Sequence, residues 1–346
     1  MSYVPLYLDV LGKALEHKAL MVRAGNWETK LLQSDIDDID IVAPIFICGL
    51  ARSGTTLVLE ILNDLPETSS HQYQDYPFVH THYLWRKVKG LIPQNKAKVE
   101  RPHGDGMRIN LQSPEAMDEV IWTSFFNHLH DSNVTAFLGD ADIRDRHARF
   151  YKNHMKKNLL LNHAKRYVCK NNYNITRIGY LRALFPDAKF IVPVRSALSH
   201  VASMVAVHNR VMSAQSKSQR HLRYSQRLEH YEFGQDRRLI NLGEAIEKDG
   251  LSDIELYARY WAQMDDFIRT HVEGAPNVHI LKYDDLIQSP AQHLDALLNF
   301  VGLKIQDSER QKFIKGWAQQ IRKPTSDPQE VLGGNIEKVS QMTLLR

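Results

Sequence analysis

The chain has 346 residues and carries 44 Lys and Arg against 40 Asp and Glu, which gives a formal net charge of +4. Hydrophobic residues make up 43% and charged residues 24%, the composition of a globular protein rather than of a disordered chain. Two cysteines exclude a disulfide scaffold and a four-cysteine zinc site. The longest apolar stretch, 41–51, falls short of a membrane helix, and the N-terminus does not resemble a signal peptide. We therefore expect a cytoplasmic protein.

Short apolar runs alternate with helical patterns along much of the chain. The pattern predicts helices at 6–23, 55–65, 174–184, 196–213, 253–272 and 290–301, and strands at 45–48, 166–170, 189–194 and 278–282. Strands that alternate with helices are typical of a parallel sheet. The sequence therefore predicts the α/β class, with a parallel sheet flanked by helices.

Two regions fit this alternation poorly because they are polar and rich in aromatic residues and histidines. We interpret 68–165 and 205–250 as helical insertions at the carboxyl edge of the sheet, where they form an acceptor site or a lid. Residues 1–346 then form a single domain, with an irregular wrapping tail at 324–346. Basic residues within 205–250 form either a solvated helix face or an electropositive wall suited to an acidic acceptor; they are Arg210, Lys217, Arg220, Arg223, Arg227, Arg237 and Arg238.

A glycine-rich loop between the strand at 45–48 and the helix at 55–65 is the most informative feature. Gly49 and Gly54 bracket four residues, and such a loop lets backbone N–H groups and a helix N-terminus bind an anion. An NTPase loop continues Gly-Lys-Ser/Thr, whereas Thr55 follows the second glycine here and the cation is Arg52. The loop therefore predicts a phosphate-bearing ligand that is handled without a metal.

The run Arg52-Ser53-Gly54-Thr55-Thr56 resembles the 5′-phosphosulfate loop of sulfotransferases that use 3′-phosphoadenosine 5′-phosphosulfate (PAPS). It is more similar to bacterial and tyrosylprotein-type members than to the cytosolic hormone and drug enzymes. Arg195 and Ser203, eight residues apart, resemble the 3′-phosphate pair of that family. Lys170 resembles the lysine that faces the transferring sulfonate in tyrosylprotein-type members. The resemblance implies in-line sulfonate transfer from PAPS to a hydroxyl or amine, without a metal.

The predicted sheet gives this resemblance a geometric basis. Arg52, Lys170 and Arg195 each follow the carboxyl end of a different predicted strand. Ligands of open α/β sheets bind at that edge, so we expect the three cations to converge on one nucleotide. Arg52 and the loop, including Gly49, would take the 5′-phosphate, and Lys170 would neutralise the sulfonate oxygens.

An acceptor hydroxyl also needs a general base, and five residues are candidates: His71, Asp75, His103, Asp105 and Glu115. Asp75 comes first, because tyrosylprotein-type members carry a catalytic glutamate in the stretch after the first helix. His103 comes second, because a neutral imidazole suits this role without any pKa shift.

Two other functions stay open at this point. A kinase or NTPase with a degenerate phosphate loop would bind Mg·ATP, and a non-enzymatic nucleic-acid-binding protein would show steep salt-dependent affinity. The leading interpretation expects no nucleic-acid partner and an acceptor such as a glycan or another hydroxyl-bearing molecule.

Overall fold

The computed structural model describes residues 6–90, 99–100, 108–246, 249–303, 305–321 and 326–344. Two of the base candidates, His103 and Asp105, lie outside these residues. The strands in chain order are β1 Ile45–Ile47, β2 Thr68–Ser69, β3 Val99–Glu100, β4 Arg108–Ile109, β5 Arg166–Lys170, β6 Lys189–Val194 and β7 Val278–Lys282.

Five strands form the main sheet in the order β2-β5-β1-β6-β7, and each neighbouring pair is parallel. The register places Phe46 opposite Cys169 on one side and Phe190 on the other. The parallel sheet and its four predicted strands are confirmed. The edge strand β2 was not predicted, because two residues are too few to show a period. Strands β3 and β4 form a separate antiparallel pair.

Helices cover both faces of the sheet. They are α1 Leu6–Gly12, α2 Lys18–Leu31, α3 Gln33–Ile36, α4 Thr55–Asn63, α5 His82–Lys89, α6 Glu119–Phe125, α7 Asp145–Asn162, α8 Ile178–Leu184, α9 Ala197–Lys217, α10 Gln219–Arg227, α11 Asp253–Phe267, α12 Tyr283–Gln288, α13 Pro290–Val301, α14 Asp307–Gln320, α15 Pro328–Leu332 and α16 Ile336–Leu344. Among the described residues, no helix has the length and apolar character needed to cross a membrane.

Alternate residues of the central strand β1 belong to two different apolar clusters. Phe46 packs in the larger cluster, which includes residues of α7, α8 and α11. Ile45 and Ile47 pack in the smaller cluster, which includes residues of α4 and α13. Successive side chains of a strand point to opposite faces, and a parallel sheet covered on both faces is apolar throughout. The short run Ile45–Ile47 is buried on both faces for this reason.

The predicted insertions contain parts of regular elements. The first region, 68–165, begins with β2, which is an edge strand of the main sheet, and continues through α5, α6 and α7. The second region, 205–250, begins within α9, which continues to Lys217, and includes α10.

The prediction of an irregular tail was wrong, because the last described residues form the helices α15 and α16. The Asp327 side chain accepts a hydrogen bond from the Gln329 backbone N–H, and Pro328 occupies the first turn of α15. Leu332 and Val339 are buried in the larger apolar cluster. The tail wraps the domain as helices that cover α9 and α11.

Candidate active site

Three neighbouring strands bring the predicted cations to one edge of the sheet. Arg52 lies in the loop after β1, Lys170 is the last residue of β5, and Arg195 directly follows β6. The Arg52 Nε donates to the Ser203 Oγ at 3.3 Å, and the Arg195 Nη1 lies 3.4 Å from the Arg52 carbonyl oxygen. The two predicted phosphate contacts, the loop and the Arg195–Ser203 pair, are therefore adjacent.

The loop depends on backbone conformations that glycine adopts readily. Gly54 has φ = 107°, and a Cβ built on it would lie 2.5 Å from the Tyr283 ring. Gly49 has φ = 147°, and its Cβ would lie 3.2 Å from the Pro193 carbonyl oxygen. Arg52 itself has φ = 76°, a conformation that costs free energy in a non-glycine residue. The loop between β1 and α4 therefore contains a strained residue and two glycines that a larger side chain could not replace without strain.

A buried histidine in α9, the helix that follows β6, makes a hydrogen bond to the backbone of this loop. His200 in α9 donates from Nε2 to the Ala51 carbonyl oxygen at 2.9 Å. Burial lowers the pKa of His200 to about 3, so the ring is neutral at pH 7 and adds no charge to the site. Sequence reasoning missed His200, although it lies only five residues after Arg195.

Buried polar atoms at this edge indicate a site for an anion. Ser53 Oγ and the Nε and Nη2 of Arg195 are buried and have no hydrogen-bond partner among the described residues. Burial lowers the pKa of Arg195, and the charges of Tyr283 and Asp284 oppose that effect. The Tyr283 ring lies 5.4 Å from the Arg195 guanidinium carbon. A desolvated cation is costly unless a counter-charge meets it, so these atoms fit a phosphate group.

The two loop threonines occupy different environments. Thr55 is buried, and its hydroxyl donates to the Asn172 Oδ1 at 3.3 Å. Asn172 in turn donates to the Glu232 Oε1 at 2.8 Å. Thr56 is half-buried. The Thr55 hydroxyl therefore links the loop to the segment after β5, and Thr56 is the better candidate for contact with a ligand.

The first-choice base, Asp75, is held in a buried ion pair. Arg86 donates to both of its carboxylate oxygens, and the His71 Nδ1 and the Gln72 backbone N–H bind Oδ2 at 2.6 and 3.0 Å. Burial raises the pKa of Asp75, but Arg86 and His71 outweigh it and hold the pKa well below its usual range. A carboxylate with its lone pairs already occupied does not suit proton abstraction. His71 is equally buried and lies between Asp75 and His154.

Glu115 is the candidate that interacts with the predicted sulfonate lysine. The charges of Lys170 and His230 stabilise its ionised carboxylate. The carboxylate also accepts hydrogen bonds from Tyr73 and from the Ala116 backbone N–H, the latter at 2.7 Å. Burial raises the pKa of Glu115, yet these four groups together hold it below its usual range. The Glu115 carboxylate is therefore held in its ionised form, in part by the positive charge of Lys170.

The basic residues of 205–250 do not form an uncompensated electropositive wall. Four of the seven make ion pairs with acidic residues, which are Arg223–Asp9, Arg227–Asp9, Arg227–Glu16, Arg237–Asp253 and Arg238–Asp236. These acidic partners could not be predicted from the sequence, because Asp9 and Glu16 come from the distant N-terminal helices. The charge of this region thus gives no support to an acidic acceptor.

The fold is that of an α/β protein with a candidate anion site at the carboxyl edge of its sheet, and comparison with known proteins assigns its family. The sequence profile of the sulfotransferase family matches residues 44–249, which is more than half of the chain. The chain therefore belongs to the sulfotransferase family, a family of transferase enzymes. No curated protein matches it in sequence.

Solved structures with a similar fold are bacterial sulfotransferases. STF1 from Mycobacterium tuberculosis H37Rv is 18% identical with a TM-score of 0.50, and the match covers 92% of this chain and 81% of that one. STF9 from Mycobacterium avium is 16% identical with a TM-score of 0.48, covering 91% of this chain and 79% of that one. The likeness to STF1 shows a shared α/β fold.

Proposed function

We propose that this sulfotransferase moves a sulfonate group from PAPS to a hydroxyl or amine of its acceptor by in-line displacement. The buried guanidinium of Arg195, with two nitrogens that lack a protein partner among the described residues, is the observation that carries the proposal. A buried cation of this kind calls for an anionic ligand, and a forked guanidinium matches a phosphate group.

The donor would be held by groups from two loops. Arg195 and Ser203 would bind the 3′-phosphate of PAPS. The loop N–H groups, the N-terminus of α4, Ser53 and Thr56 would bind the 5′-phosphate, and Arg52 would lie between the two phosphates because it contacts Ser203. In this proposal Arg52 would lie closer to the 3′-phosphate contacts than the sequence suggested.

Transfer needs charge stabilisation and a proton acceptor. The acceptor oxygen would attack the sulfur while the bond from sulfur to the bridging oxygen breaks, and the electron pair of that bond would leave on the 5′-phosphate of 3′,5′-ADP. Lys170 would neutralise the sulfonate oxygens during this step. Glu115, whose ionised form the charge of Lys170 favours, would take the proton of the acceptor hydroxyl. Lys170 and Arg52 would supply the positive charge that a metal supplies in many phosphoryl transfers.

The base assigned here replaces the first choice made from sequence. Asp75 would act as a buried anchor for Arg86, whereas Glu115 has an ionised carboxylate that interacts electrostatically with Lys170. We propose a hydroxyl-bearing acceptor, such as a glycan, without a requirement for acidic groups, because the basic residues of 205–250 are largely paired.

Calorimetric titration with 3′,5′-ADP, 5′-ADP and Mg·ATP tests the donor assignment. Hydrogen bonds to a charged group contribute about 1.5–3 kcal/mol, so 3′,5′-ADP should bind roughly 10- to 150-fold more tightly than 5′-ADP. Stronger binding of Mg·ATP than of 3′,5′-ADP would support a kinase or NTPase instead. An oligonucleotide titrated at two salt concentrations is the control for nucleic-acid binding.

A further inference from the structure

Three histidine rings pack together in the interior, behind the loop that carries Glu115. His71 follows β2, His82 is the first residue of α5, and His154 lies in α7. All three are buried, and the ring centroids lie 4.5–4.9 Å apart. One ring nitrogen from each histidine lies within 4.8 Å of the others. Three imidazoles that meet in this way form a potential ligand set for a transition metal.

Hydrogen bonds at the opposite ring nitrogens determine where two of the protons lie. The His82 Nδ1 is 3.2 Å from the Val79 carbonyl oxygen, which can only accept, so Nδ1 carries the proton and Nε2 presents a lone pair. The His71 Nδ1 donates to the ionised Asp75 carboxylate at 2.6 Å, so His71 Nε2 also presents a lone pair. A carboxylate or carbonyl behind each ring is the outer-shell arrangement found for metal-ligating histidines.

The remaining ring nitrogens leave buried lone pairs without donors. The Nε2 atoms of His71 and His154 are 2.7 Å apart, and one proton can lie between them. If His154 Nε2 carries that proton, His154 Nδ1 is unprotonated and presents a lone pair. Neither His154 Nδ1 nor His82 Nε2 has a hydrogen-bond partner in the described part of the chain. Buried ring nitrogens that present lone pairs are the atoms through which imidazole binds metals.

A buried carboxylate adds negative charge to the same place. Asp118, just before α6, accepts hydrogen bonds from the Tyr151 and Tyr167 hydroxyls at 2.7 and 3.0 Å. Its Oδ1 lies 3.6 Å from the His71 Nε2. Within the described ranges, no lysine or arginine pairs with Asp118. A buried carboxylate without a cation is costly, and a divalent cation held by the histidines would supply that charge.

We propose that His71, His82, His154 and Asp118 bind one zinc ion. Three imidazoles and one carboxylate match the ligand preferences and the coordination number of zinc. Two nitrogens bound to tetrahedral zinc lie about 3.3 Å apart, so the rings reach that geometry through side-chain shifts of roughly an ångström from the observed separations. Because the cluster is fully buried, the site is closed and its role is structural.

The zinc would join four separate elements of the 68–165 region. His71 also accepts a hydrogen bond from the Glu115 backbone N–H at its carbonyl oxygen, at 2.9 Å. The ion would therefore fix the loop that carries the proposed base without touching the reactants. Sequence analysis expected no metal and missed this set, because His71 and His154 are 83 positions apart and show no ligand spacing.

Metal analysis of the full-length protein, grown with zinc and gel-filtered, tests the proposal directly. We expect close to one zinc per chain in the wild type and close to none in His82→Gln. The control is His147→Gln, which removes an equally buried histidine of α7 that instead bonds the Tyr180 hydroxyl; it should retain the zinc.

A second measurement covers the case in which His82→Gln does not fold. Wild-type protein grown with cobalt should show the visible absorption bands of tetrahedral Co²⁺, and zinc added to chelator-treated protein should raise the melting temperature. Folded wild-type protein without stoichiometric metal, full zinc retention in His82→Gln, or a six-coordinate cobalt spectrum would each overturn the proposal. These readouts do not depend on sulfonate transfer.

Discussion

Arg195 gives the sharpest prediction, because its contribution to ligand binding and its contribution to folding should differ. In Arg195→Met the methylene stem keeps its packing while the guanidinium is lost. Folding loses a long hydrogen bond to the Arg52 carbonyl and a cation–π contact with Tyr283, the latter contributing about 0.5–1 kcal/mol. The substitution also removes a buried charge for which the described residues provide no ion pair. The free energy of unfolding should therefore change by less than about 1 kcal/mol.

Binding of 3′,5′-ADP should respond much more strongly. Loss of charge-assisted hydrogen bonds from Nε and Nη2 costs about 1.5–3 kcal/mol, which weakens affinity roughly 10- to 150-fold. Urea denaturation and calorimetric titration measure the two effects on the same sample.

Arg177→Met is the matched control. Arg177 is buried like Arg195, and more completely, but its Nη1 and Nη2 donate to the Glu119 carboxylate at 2.7 and 2.8 Å. Removal of one partner of a buried ion pair costs about 3–5 kcal/mol, so this variant should be strongly destabilised. If Arg195→Met lost as much stability as Arg177→Met, or bound 3′,5′-ADP like the wild type, the anion-site reasoning would be wrong.

Three further variants test the loop, the base and the buried anchor. Glu115→Gln should lower turnover roughly 100-fold or more while 3′,5′-ADP binds normally. Asp75→Asn should lower the free energy of unfolding at neutral pH by about 3–5 kcal/mol, because it leaves a buried arginine unpaired. Gly54→Ala should cost about 1–3 kcal/mol and weaken nucleotide binding, because φ is 107° and the Tyr283 ring blocks the methyl group. Gly316→Ala, in a helix with open space around it, should be neutral or stabilising.

The pH dependence of stability checks the Asp75 assignment independently. The pKa of Asp75 in the folded protein is below its unfolded value, so the stability it contributes is fully present above about pH 4 and is lost as the pH falls further. The unfolding free energy of Asp75→Asn should therefore fall less than that of the wild type over the same acidic range. An identical pH profile would contradict the assignment, and loss of 3′,5′-ADP binding in Glu115→Gln would contradict the proposed base.

The sheet and the position of three cations at its carboxyl edge were predictable from sequence because their signals are local. Ile45–Ile47 and Lys189–Val194 are short apolar runs, bounded by a glycine loop and by Arg195. Parallel strands present their carboxyl ends at one edge, so the convergence of Arg52, Lys170 and Arg195 follows from the order of elements. The family match supports the same reading.

The contacts that distinguish one acidic residue from another were not predictable. Asp75 and Glu115 both carry a carboxylate. Arg86 forms an ion pair with Asp75, whereas the charge of Lys170 acts on Glu115. Those partners are set by how the 68–165 region packs on the sheet. The tail was predicted to be irregular for a different reason, because α15 has only five residues and is too short to show a helical period.

Transfer of radiolabelled sulfonate from PAPS to a library of hydroxyl acceptors tests the central claim most directly, with Lys170→Ala compared against Lys217→Ala. Lys217 is an exposed lysine at the end of α9. We expect the wild type and Lys217→Ala to label an acceptor at the same rate, and Lys170→Ala to label it roughly 100- to 1,000-fold more slowly. Equal rates in Lys170→Ala and the wild type would contradict the claim that Lys170 stabilises the transferring sulfonate.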